Sequence, residues 1–445
     1  MNLTYGIHDK PKFTQTIVFA FQQLLAIMAA TIAVPAIIGN GMSQTAALFG
    51  AGVGTICYLL FTKFTSPVFL GSSFAFLGSM SAAFAGSVTV EAGYAGLIIG
   101  AAFAGAVYVL LALLVKMVGV GWINKLMPPV VIGPTVAIIG LSLAGNAIGD
   151  LSSGAVSASP YVCLICGLTT LFVTMFCSVF GKKMAKMIPF ILGILAGYAV
   201  SAVFTFIGNA TGNSELIVIN FSLFESMQWF PDFAFLRAAK GFADIDGTYV
   251  ATIAVAYAPV AFVVFAEHIA DHKNLSTVIG VDLLENPGLH RTLLGDGVGS
   301  FLGSIFAGCP NTTYGESIGC VAISGNASVV TILTTAVLAM VISFFGPFAT
   351  FLATIPGCVM GGVCMTLYGF IAVSGLKMIQ DVDLNNNKNL FVVCVILIAG
   401  VGGLSISFGK ITLTSVACAL LLGIITNVAL SSSKKEPNKE PQLRK

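Results

Sequence analysis

Long apolar runs broken by short polar punctuation fill most of the 445 residues. A helix that crosses a membrane takes about 20 mainly apolar residues. On that measure the first half predicts spans at 15–38, 44–62, 68–85, 92–115, 127–147, 160–180 and 188–208. A polar stretch over 209–246 follows, carrying Glu215, Asp232, Arg237 and Asp246 among its charges. The second half predicts 248–275, 292–308, 313–325, 328–346, 350–375, 390–407 and 411–430. The expected fold class is an all-α polytopic membrane protein of about 14 transmembrane segments, arranged seven plus seven.

Basic residues of short loops lie on the cytoplasmic side. With the N-terminus inside, Lys10, Lys12, Lys63, Lys116, Lys125, Lys182, Lys183, Lys186, Lys273, Arg291, Lys377, Lys388 and the tail from Lys434 all fall inside. Only Arg237, Lys240 and Lys410 fall outside. Both termini are therefore expected to be cytoplasmic. Because seven is odd, the second half starts from the opposite face, which makes the halves candidates for inverted repeats. Each half has an unusual third segment, GSSFAF at 71–76 and CPNTTYGES at 309–317. Interrupted segments at matching positions point to a transporter's site. The chain accordingly divides into a cytoplasmic N-terminus at 1–13, a first repeat at 14–208 and an extracellular connection at 209–246. A second repeat at 247–430 and a polar tail at 431–445, expected to be disordered, complete it.

Composition narrows the class further. Hydrophobic residues make up 57% and charged residues 9%, where a soluble domain carries about 25% charged residues. Too few polar side chains remain to solvate a globular surface, and a disordered chain would need the opposite balance. The 20 basic and 18 acidic residues nearly cancel, and no basic block offers a nucleic acid its counter-charge. The cysteines lie mostly in apolar runs; even Cys163-x-x-Cys166, in YVCLICGL, reads as buried, reduced thiols. The first apolar run is longer than a signal-peptide core and reads as an uncleaved span.

Three acids stand apart from the predicted loops. Glu267 ends the run ATIAVAYAPVAFVVFAEH, and Asp271 lies four residues on, on the same helical face. Glu316 follows Tyr314 and Gly315 where extended backbone turns into a helix. The first N–H groups of such a helix are free to hold a carbonyl or carboxylate. An ionisable group in a span costs about 2.5–3.5 kcal/mol on insertion scales, so it marks function unless the helix has already emerged into water. For His268 and His272, near the same helix end, the water-facing reading is favoured. Phe74 of GSSFAF faces lipid or core, and Tyr368 carries a hydroxyl that wants a partner into an apolar run. The string His268-Ile-Ala-Asp271-His272 is one residue from the inverted zinc-protease pattern. Asp stands there for the catalytic Glu and no third ligand accompanies it, so an intramembrane metalloenzyme is the remote alternative. No metal or cofactor is expected.

The strings GSSFAF, FAEH, NPGLHR, PNTTYGESIG and PGCVMGGVCMTLYG, in this order, resemble the nucleobase–ascorbate transporter family, with its bacterial uracil permeases nearest. The resemblance runs from about Thr14 to Leu430. It implies two inverted repeats divided into a core and a gate domain, with short antiparallel strands breaking the third and tenth spans. It implies uracil contacts from Phe74, Glu267, Gly315 and Glu316, with Tyr314 and Tyr368 lining the pocket. Proton-coupled uptake across a bacterial cytoplasmic membrane, by a homodimer joined through the gate domain, is implied too. Two positions depart from the pattern. Gln22-Gln23 stands where many relatives have Gln-His. Asp271 stands where some uracil permeases have histidine and purine-type relatives often an acid.

The chemistry of the base agrees. Uracil offers two N–H donors, two carbonyl acceptors and a flat face. Ionised glutamates accept the N–H groups by charge-assisted bonds, and helix-start N–H groups donate to the carbonyls. Xanthine presents a similar edge and stays open as the alternative cargo. For coupling, burial disfavours the charged form of a carboxylate. Glu267 with Asp271 one turn on, together with His268, is therefore the candidate to take a proton outside and release it inside.

Overall fold

The computed structural model describes residues 3–119, 121–153, 158–182, 184–227, 229–380, 382–408 and 411–431. Lys183, Lys410 and the tail beyond Ser431, which entered the charge pattern above, lie outside the described residues. Among those described, eight helices are long and apolar enough to cross a bilayer. They are Phe13–Ile38, Gln44–Phe61, Val90–Val118, Pro129–Leu151, Pro160–Phe180, Pro189–Thr211, Gly247–Ile279 and Gly357–Met378. A ninth is reached if Val329–Ile342 and Gly346–Thr354, bent by 84° at their junction, count as one span. Shorter apolar helices are Phe74–Ala85, Asn387–Val401 and Ser415–Ser431. The chain is a multi-pass helical membrane protein.

Some boundaries differ from the sequence pattern. The run expected at 350–375 is two helices, Gly346–Thr354 and Gly357–Met378. Ile355 between them is extended, with φ −64° and ψ 119°, because the residue before a proline is pushed out of the helical region. The run expected at 390–407 leaves the helix after Val401, and Ile406–Phe408 pairs with Ile411–Leu413 instead.

Another pair of short strands lies deep in the molecule. Leu70–Ser72 (β1) runs antiparallel to Asn311–Thr313 (β2), with Leu70 opposite Thr313, Gly71 opposite Thr312 and Ser72 opposite Asn311. Each strand leads into a helix, Phe74–Ala85 after β1 and Gly315–Ser324 after β2. Open strand edges are costly wherever water is excluded, and hydroxyls from neighbouring helices close these. Thr55 Oγ1 accepts from Leu70 N–H at 2.9 Å and donates to Leu70 O at 3.2 Å. Ser300 Oγ accepts from Asn311 N–H at 2.9 Å. The Asn311 amide donates to Gly50 O at 3.1 Å, in the seam between Gln44–Phe61 and Leu289–Ala307. A Cβ at Gly54 or Gly303 would stand 2.4 or 2.2 Å from that amide nitrogen, so the seam admits only glycine there. Thr55→Val is expected to cost about 1–3 kcal/mol by orphaning both backbone groups of Leu70. A lowered thermal midpoint of the detergent-purified protein reads this out; an unchanged midpoint would mean that the edge is satisfied in another way.

Packing sorts the helices into two groups. The strand-bearing group gathers Phe13–Ile38, Gln44–Phe61, Val90–Val118, Gly247–Ile279, Leu289–Ala307 and Val329–Ile342 around β1 and β2. The second group gathers Pro129–Ser142, Pro160–Phe180, Pro189–Thr211, Gly357–Met378, Asn387–Val401 and Ser415–Ser431.

Candidate functional site

Glu267 and Asp271 share one face of Gly247–Ile279, a 33-residue helix whose start is fixed by Asp246 accepting from Tyr249 N–H at 2.6 Å. Glu316 is the second residue of Gly315–Ser324, which begins directly after Tyr314, itself still extended as β2 is. Thr313, the last residue of β2, joins the two elements by donating its hydroxyl to Asp271 Oδ2 at 2.8 Å. Gln23 holds the first turn of the Gly315 helix from the other side, donating to Ser317 Oγ at 2.5 Å.

All three carboxylates and Gly315 border one cavity of ≈ 350 Å³, a volume within the range of about 300–1,000 Å³ usual for small-molecule sites. The cavity lies between the helix groups. Ala26, Glu267, Asp271 and Glu316 come from the strand-bearing side; Val136, Phe190, Leu367 and Phe370 come from the second group. Lys186 and Met378 also border it. A Cβ on Gly315 would meet open space, so the helix start presents bare backbone to the cavity. Unpaired N–H groups and the positive end of the helix dipole collect there. A larger cavity of ≈ 500 Å³ borders Gly39, Gln44 and the Asp232–Arg237 pair, whose charges meet at 2.5 Å. Its acid and base neutralise each other, which makes the smaller cavity, with its converging carboxylates, the candidate site.

The other expected site residues lie elsewhere. Phe74 is 8% exposed and packs edge to face on Tyr368, with ring centroids 5.7 Å apart. Tyr314 donates its hydroxyl to Ser72 O at 2.7 Å, and its ring stands where a Cβ on Gly71 would come within 2.4 Å. None of these three aromatic residues borders the cavity.

The expectation that His268 and His272 face water is overturned. Both are buried, at 0% and 1% exposure. His268 Nδ1 shares a hydrogen bond with Asp296 Oδ2 at 2.7 Å, and its Nε2 with Thr292 Oγ1 at 2.9 Å. His272 Nε2 meets the Tyr58 hydroxyl at 2.6 Å. Their helix stays packed well past residue 267, with His268, Ile269, His272 and Leu275 buried, before it ends at Ile279. Asp296 escaped the sequence reading, although an acid within a run taken as a span was signal enough. Among the described residues, no three His, Cys, Asp or Glu side chains are grouped to hold a metal ion.

Comparison with known proteins gives a consistent picture. A profile of the Permease family matches residues 14–407. The uracil permease of Bacillus subtilis (strain 168) is 37% identical over 441 residues, which is 97% of this chain and 96% of that protein. The uracil permease of Bacillus caldolyticus is 37% identical over 429 residues, 95% of this chain and 94% of that one. In three dimensions the chain is similar to the transmembrane domain of a cyanobacterium bicarbonate transporter, BicA. The TM-score is 0.66 at 18% identity, covering 95% of this chain and all 100% of that one. At that identity the likeness speaks for the fold alone.

Proposed function

The chain belongs to this Permease family, whose members are transporters rather than enzymes, and from that membership we propose that it takes up uracil in symport with protons by alternating access. The observation that carries the reading is the meeting of Glu267, Asp271 and Glu316 with the bare helix start at Gly315, on one cavity between two helix groups. Glu267 and Glu316 accept the two N–H groups of the base, and the backbone at Gly315 donates to a carbonyl. Phe74 offers the ring a face as the groups close, with Tyr314 and Tyr368 behind it. The coupling proton passes through Glu267 and Asp271, with His268 beside them held by Asp296.

On the same reading the strand-bearing group is the core and the second group the gate, and two copies meet through their gates. On this reading the strand-broken segments and the shorter helices also cross, which gives about 14 crossings of a bacterial cytoplasmic membrane. The crossings form inverted repeats at 14–208 and 247–430, joined outside by 209–246, with both termini inside. Uptake of labelled uracil by cells expressing the chain is the test. Accumulation should collapse with a protonophore, and unlabelled uracil should compete better than xanthine. Equilibration without accumulation would point to a passive channel, and stronger competition by xanthine would change the cargo.

A further inference from the structure

The two walls of the ≈ 350 Å³ cavity differ in charge. The strand-bearing wall supplies Glu267, Asp271 and Glu316. Of the residues that border the cavity from the other side, Lys186 alone is charged. It stands in the short helical turn Met184–Met187, between Pro160–Phe180 and Pro189–Thr211. This turn touches both Phe13–Ile38 and Gly315–Ser324, so it bridges from the second group to the elements that carry the site. Lys186 is exposed, and among the described residues it makes no ion pair. A lysine on one body thus borders the same cavity as the carboxylates of the other, across a gap that alternating access must open and shut. A lysine suits such a moving contact, because its charge is compact and its four-carbon stem flexible.

We propose that Lys186 is a gating residue that pairs with the site carboxylates once base and proton have left. The proposal rests on the transport reading given above. Returning an empty carrier means closing the cavity over bare carboxylates, and burying an unpaired charge is costly. The ammonium supplies the missing partner for that one leg of the cycle. When the site is loaded, base and proton satisfy the carboxylates and the lysine is not needed. Lys186 is therefore a positioning group for the empty carrier and not a contact of the base.

The experiment uses the full chain in proteoliposomes with labelled uracil, measuring net uptake and uracil–uracil exchange side by side. Exchange runs on the loaded carrier; net uptake also needs the empty return. Lys186→Gln is expected to lower the ratio of net uptake to exchange by up to about fivefold, the upper end for one exposed ion pair. Lys186→Arg should restore most of the ratio by keeping the charge. An unchanged ratio in Lys186→Gln would sink the proposal. So would a loss of equilibrium uracil binding in both variants, which would make the lysine a contact of the base. Should the unaltered protein itself neither bind nor exchange uracil, the transport reading falls and takes the gate with it.

Discussion

Uracil binding is expected to weaken roughly a hundredfold in Glu316→Ala and in Glu267→Ala, since a hydrogen bond to a charged group contributes about 1.5–3 kcal/mol. Each truncation leaves an N–H of the base facing a cavity wall with no acceptor. The two acids come from different helices, Gly247–Ile279 and Gly315–Ser324, so losing one leaves the other in place. Stability should suffer little, because both side chains are only half-buried on the cavity wall. Titration calorimetry on detergent-purified variants measures the affinity, and their thermal midpoints check the fold. A folded variant that binds uracil as tightly as the parent would show that the base sits elsewhere.

Asp271→Asn should separate binding from energy coupling. Asparagine keeps a carbonyl oxygen where Asp271 Oδ2 accepts from Thr313, so the tie between Gly247–Ile279 and β2 survives. It cannot gain or lose a proton. Accumulation against a gradient should therefore be lost almost completely, while counterflow exchange and binding remain. If Asp271→Asn still concentrates uracil in a protonophore-sensitive way, the coupling proton travels through Glu267 without it.

The acids of the cavity were legible in the sequence because a charge inside an apolar run is costly and stands out. That Asp271 and Glu267 share a face follows from their spacing alone. What surrounds them was harder to read. Asp296 stands inside the run 292–308 and was passed over there, because its partner His268 is 28 residues away in the chain and no local spacing joins the two. Thr55 and Ser300 gave no signal, because hydroxyls in spans are common and mostly bond their own helix, as Thr31 does with Ile27 O at 2.9 Å. The break at Pro356 was legible in principle. It was missed because the apolar run continues through it, and hydropathy does not register a backbone restriction.

The strand pair also has a consequence for how the chain is made. Ser72, in β1, and Tyr314, which follows β2 and bonds to it, are 242 residues apart. At synthesis rates of about 5–20 residues per second, roughly ten to fifty seconds pass between the emergence of one and the other. Through that interval the ribosome–translocon complex holds a first half whose β1 has Thr55 on one edge and nothing yet on the other. The first half is therefore born incomplete, and its buried backbone is satisfied only when the second arrives.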